Sequence, residues 1–71
     1  MSRFGEKLRV LREHYSLSYR QLAAELGYDH TTFSKIEAGR AFPSFELLLK
    51  LVNYFEVSYD ELLDDEVELD L

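Results

Sequence analysis

The sequence contains no cysteine and no tryptophan, one proline, one methionine and three glycines. Without cysteine the chain has no disulfide, no thiolate metal site and no sulfur nucleophile. Scarce proline and glycine exclude collagen-like and low-complexity architectures, and the composition is that of a folded, mostly helical chain. No apolar run approaches the roughly 18 residues that cross a bilayer. Arg3, Glu6 and Lys7 put charge where a signal peptide needs an apolar core, so a soluble, cytoplasmic protein is expected. With 71 residues there is room for one small domain, held by packed helices or by a partner.

Charge is plentiful but unevenly placed. Residues 1–40 carry seven bases against five acids, whereas residues 41–71 carry Lys50 alone against nine acids. The formal charge of -6 therefore conceals a slightly basic first half and a strongly acidic second half. Division of that kind points to two surfaces with different tasks, or to a solvated acidic end that keeps the chain soluble.

Phe4, Leu8, Leu11 and Tyr15 recur at helical spacing and predict a first helix from about Arg3 to Tyr15, its remaining faces charged and at the surface. Ser18 and Gln21 have the spacing of a capping box at the start of a second helix, about Tyr19 to Leu26, which Gly27 can close in a left-handed conformation. Asp29 is positioned to cap a third helix, about His30 to Ala38, ended by Gly39. A loop through Pro43 follows, then a fourth helix capped by Ser44. Its apolar residues, Phe45, Leu47, Leu48, Leu49, Leu51, Val52, Tyr54 and Phe55, cover more than one face, so burial on more than one side is expected. Ser58 and Glu61 repeat the capping-box spacing ahead of a short fifth helix that buries Leu62 and Leu63. These elements make a helical domain over 1–63. Residues 64–71, with five acids, are expected to form a frayed or disordered tail.

Leu22, Ala23, Leu26, Gly27, Phe33 and Ile36 place two short helices about a glycine turn, with the small Ala23 allowing a close crossing. Any compact helical hairpin shares that pattern. Residues Phe4 to Leu63, however, closely resemble the Cro/repressor-like, or XRE-type, helix-turn-helix family. The resemblance rests on Phe4-Gly5-Glu6-Lys7-Leu8-Arg9, Leu17-Ser18, Gln21-Leu22-Ala23, Leu26-Gly27, Ser34-Lys35-Ile36-Glu37, Gly39, Pro43-Ser44, Leu48-Leu49-Lys50-Leu51 and Val57-Ser58-Tyr59-Asp60-Glu61-Leu62-Leu63. It implies an all-α, compact five-helix bundle of the lambda-repressor-like kind. It also implies that the third helix binds double-stranded DNA, as a homodimer on a pseudo-palindromic operator.

Given that resemblance, the outward positions of the third helix are the candidate interface. Lys35 can donate to guanine O6 and N7, His30 to a purine edge, and Thr31 can set its methyl against a thymine methyl. Thr32 and Ser34 are candidate phosphate contacts, joined by Arg20 and Arg40. Tyr19 stands where the family often has Gln, and its hydroxyl is a further phosphate candidate. Ala38 stands where the family favours Arg or Asn. The resemblance also implies a largely buried ion pair between Arg12 and Glu37. For the dimer interface it points to Leu47 and Tyr54, positions the family often leaves outside the monomer core, with Phe42 and Val57 flanking them.

No catalytic set is present. His14 and His30 stand on different helices with no carboxylate or nucleophile at a partner spacing, and no glycine-rich phosphate loop follows a strand. Neither an enzyme nor a metal or other cofactor is expected. The expected function is that of a sequence-specific transcriptional regulator, a repressor, with the alternative of a protein-binding adapter such as an antitoxin or anti-repressor whose acidic half engages a protein partner. A third reading makes the chain the amino-terminal part of a longer regulator. The sign of the surface around Lys35, set against Glu25 and Asp29, separates DNA binder from adapter.

Overall fold

The computed structural model describes residues 3–71. Five helices follow one another: α1 Phe4–His14, α2 Tyr19–Leu26, α3 His30–Glu37, α4 Phe45–Phe55 and α5 Tyr59–Leu63. Local chemistry sets their boundaries. The Gln21 backbone N–H donates to Ser18 Oγ at 3.1 Å while the Ser18 N–H donates to Gln21 Oε1 at 2.7 Å, a reciprocal cap at the start of α2. Ser58 and Glu61 repeat it at α5, both bonds being 3.0 Å. Ser44 accepts from the Leu47 N–H at 3.2 Å and opens α4. Between α2 and α3 the chain reverses at Gly27, whose φ of 77° is readily adopted only without a Cβ.

The core is built from one face of each helix. Phe4, Leu8 and Leu11 of α1 meet Leu22, Ala23 and Leu26 of α2 and Phe33 and Ile36 of α3; Leu47, Leu51, Phe55 and Leu62 close the other side. At Gly5, a Cβ would fall on the Ile36 carbonyl oxygen and come within 3.0 Å of Glu37 Cα. Absence of a side chain there lets α1 approach the end of α3 along the backbone, and so helps to set where α3 stands.

Four features differ from what the periodicity predicts. Tyr15 does not continue the α1 stripe, because the helix ends at His14 and Ser16 turns left-handed at φ 57°; its exposed ring instead stacks on Phe55 at 5.7 Å. Lys7, expected on a charged outer face, is 2% exposed. Leu47, expected at a dimer interface, is 1% exposed and belongs to the core, because Leu47, Leu51 and Phe55 share the face of α4 that meets the other helices. Its opposite face carries Phe45, 74% exposed, and the exposed Leu49, so a bundle of five short helices covers α4 on one side only.

Residues 64–71 form no helix, yet they are drawn back onto the domain rather than left without contacts. The Lys7 Nζ donates to the carbonyls of Glu61 and Asp64, each at 2.7 Å, and to that of Val67. Arg3 donates from its backbone N–H to Asp65 Oδ1 at 3.0 Å and from its guanidinium to Glu68 at 2.7 and 3.1 Å. Leu69 packs against the core. The physical reason is the charge of α1: two cations at its amino-terminal end neutralise part of an otherwise repulsive acidic segment. Glu68 is held below the usual carboxylate range chiefly by its hydrogen bond from Arg3.

Candidate nucleic-acid interface

Helix α3 presents its amino-terminal end and one side to solvent. Its start is fixed by Asp29, which accepts from the Thr31 N–H at 2.9 Å and from the Thr31 hydroxyl at 2.8 Å. These bonds, the backbone one foremost, hold the Asp29 carboxyl below its ordinary range. The same bonds occupy the donor of Thr31, leaving its methyl and one oxygen lone pair for a ligand. Ser34 likewise donates inward, to the Thr31 carbonyl at 3.0 Å, so contact with phosphate would require its hydroxyl to turn.

Lys35 is exposed on α3, and Arg40 follows in the loop, its backbone N–H donating to the Lys35 carbonyl at 2.9 Å. Arg20, near the start of α2, lines a shallow groove with Tyr28, Asp29 and the half-buried His30. Thr32 is also half-buried. The fold therefore brings Arg20 and His30 to one groove, with Lys35 and Arg40 together at the other end of α3.

The carboxyl-terminal end of α3 is anchored by a buried ionic cluster. The Glu37 side chain is 0% exposed and accepts from Arg12 Nε at 2.9 Å and Nη2 at 3.2 Å, and from Arg9 Nε at 3.3 Å. Arg12 Nη1 donates to the Leu17 carbonyl at 2.7 Å, and its guanidinium lies 4.3 Å from the centre of the Tyr19 ring. The hydrogen bond to Glu37 is the main reason that Arg12 holds its proton even more tightly than a free arginine. Tyr19 thus has a role beyond the phosphate contact its hydroxyl suggests: its ring covers the cation that clamps α3. No spacing rule marks that contact, which depends on how α1 crosses the start of α2.

Lys50 also serves the fold. Its Nζ donates to the Leu26 carbonyl at 3.2 Å, at the end of α2, and lies 5.1 Å from the Tyr28 ring centre. Taken together, Arg3, Lys7, Arg9, Arg12 and Lys50 are engaged by acids or carbonyls within the domain. Among the described residues, Arg20, Lys35 and Arg40 have no ion pair, and all three lie on α2, α3 or the loop that follows. Glu25 lines a different groove, with Leu26, Lys50, Asn53 and Tyr54, so it does not dominate the surface at Lys35.

Of the dimer candidates, Phe42 is 69% exposed and Tyr54 is exposed, whereas Val57 packs partly on the core. Tyr54 stands nine residues from Phe45, on the opposite side of α4 by helical geometry. No group of three or more histidine or acidic side chains able to hold a metal occurs among the described residues, and none of their helices is long and apolar enough to cross a membrane.

The helix-turn-helix domain family matches residues 3–65. A transcriptional activator of Enterococcus faecalis, BcrR, is 41% identical over 63 residues, covering 89% of this chain and 31% of the relative. The cryptic phage CTXphi transcriptional repressor RstR of Vibrio cholerae is 35% identical over 57 residues, covering 80% of this chain and 51% of the relative. An uncharacterized helix-turn-helix-type transcriptional regulator of Methanocaldococcus jannaschii, MJ0272, is 33% identical over 63 residues, covering 84% of this chain and 96% of the relative. The chain thus spans about a third to a half of the first two relatives and nearly all of the third. No solved structure gave a significant match.

Proposed function

We propose, because the chain belongs to the XRE-like helix-turn-helix family, that it is a non-enzymatic, sequence-specific DNA-binding regulator that reads the major groove with α3 and represses by occupying its operator. The observation that carries this reading is the sorting of cations. A fold with eight bases uses five to hold itself together and leaves Arg20, Lys35 and Arg40 unpaired along the helix-turn-helix. Phosphate is the ligand for which such a cationic edge is suited, and a helix presenting Thr31, His30 and Lys35 between its positive ends has the donors to read bases. Asp29, the nearest acid, is spent on the cap of α3. The adapter reading loses support on the same ground, since it requires acids to dominate the surface at Lys35.

Substitution separates reading from positioning. Lys35→Ala should remove about 1–3 kcal/mol of discrimination at one base position, while Arg40→Ala should weaken binding to all sequences alike and lower the salt slope by about one. Binding titrations on operator variants at several salt concentrations check this. Uniform losses for both variants would remove Lys35 from base readout.

We further propose a symmetric homodimer that uses the uncovered side of α4, with Phe45 and Leu49 and the preceding Phe42 in place of Leu47. Exposed apolar residues of this size on one helix face favour a self-complementary contact, and a two-fold dimer matches a pseudo-palindromic site. Sedimentation at micromolar concentration should show a dimer for the parent chain and a monomer for Phe45→Glu. A parent chain that stays monomeric well above that concentration contradicts the proposal.

A further inference from the structure

The carboxyl-terminal ends of α1 and α4 converge on a cleft of about 330 Å³, on the side of α4 away from Phe45. Tyr15, Leu17, Tyr54, Phe55 and Glu56 line it. The Tyr15 and Phe55 rings stack at 5.7 Å with 26° between their planes, and Tyr54 meets Phe55 edge-on at 5.1 Å. Tyr15 and Tyr54 are both exposed, so ring surface remains available from solvent.

Every electrostatic contribution at this place has the same sign. Two helix carboxyl termini present partial negative charge, ring faces present the negative part of their quadrupole, and Glu56 adds a carboxylate. Anions are repelled and neutral apolar molecules gain only contact area. A cation with an apolar shell gains from all three, and the volume lies at the lower end of the roughly 300–1,000 Å³ of small-molecule sites.

Glu56 is also a poor choice for the fold alone. It caps α4 with a φ of 54°, in the left-handed region where glycine is the usual residue, and it puts a negative side chain at the negative end of a helix. A residue unfavourable on both counts is accounted for when its carboxylate has a ligand to meet.

We propose that this cleft is a binding site for a small quaternary ammonium cation, with Tyr15 and Tyr54 supplying ring surface and Glu56 the counter-charge. The site is independent of the DNA-binding surface, and its test does not require DNA. Choline and its uncharged carbon isostere, 3,3-dimethylbutan-1-ol, are titrated into the protein at constant ionic strength and followed by two-dimensional NMR. Choline is expected to give saturable shifts at Tyr15, Leu17, Tyr54 and Phe55, with the isostere weaker by about tenfold. Glu56→Gln should weaken choline about fivefold or more, since it keeps size while removing charge. Glu56→Gly should bind choline as poorly yet melt at a higher temperature, which separates loss of the site from loss of the fold. Equal affinity for choline and the isostere, undiminished binding by Glu56→Gln, or the absence of saturable shifts at the cleft would each overturn the proposal.

Discussion

Glu37→Ala is expected to destabilise the domain by about 3–5 kcal/mol, because it leaves the Arg12 guanidinium largely buried without its carboxylate. For a chain of this size total stability is on the order of 4–10 kcal/mol, so much of the population should unfold near physiological temperature. Arg9→Ala, which removes a longer and half-exposed contact to the same carboxylate, should cost no more than about 1 kcal/mol. Replacing both partners, Arg12→Met with Glu37→Met, should recover part of the loss, since no charge is then stranded. Recovery should be incomplete, because Arg12 also donates to the Leu17 carbonyl and lies over Tyr19. Urea denaturation of the four variants measures all of this. A Glu37→Ala midpoint equal to that of Arg9→Ala would show that the cluster does not hold α3.

Lys7→Met should cost about 2–4 kcal/mol although it exchanges a charged side chain for an apolar one of similar length. The ammonium supplies three donors to three carbonyls, Glu61, Asp64 and Val67, and methionine supplies none. The estimate stays below the sum of three stranded carbonyls because Asp64 and Val67 lie beyond α5 and can turn towards water. Arginine should not rescue, since its planar fork cannot converge three donors on one point. Hydrogen exchange gives the more specific reading. The Val67 and Asp70 amides, which donate to the Asp64 carbonyl and to Glu61 Oε2, should exchange faster in Lys7→Met under native conditions. Unchanged exchange at both, with an unchanged denaturation midpoint, would show that Lys7 does not hold residues 64–71 to α1.

These two residues also show where sequence reading reaches its limit. Helix starts at Ser18, Asp29, Ser44 and Ser58 were legible because a cap is chemistry between residues two or three positions apart. Lys7 was not, since its acceptors lie 54 to 60 residues away and nothing in the α1 pattern distinguishes it from a solvated lysine. The phase of α4 was ambiguous for a different reason. Leu47 to Leu49 are all leucine, so stripes through Leu47 and Leu51 or through Phe45 and Leu49 satisfy the same periodicity, and only packing against the other helices selects the first. At the interface, the helix carrying Thr31 and Lys35 could be read from spacing and resemblance. The use of Tyr19 as a cover for Arg12, and the role of Gly5 in bringing α1 against the end of α3, depend on contacts between helices.

Footprinting of the protein on genomic DNA fragments at two salt concentrations tests the central claim most directly. DNA binding through α3 as a dimer predicts protection of a discrete pseudo-palindromic site, its half-sites about one helical turn apart. Protection should weaken steeply as salt rises, while the preferred sequence stays the same. No protection at the lower salt concentration, or protection without sequence preference at both, would contradict it.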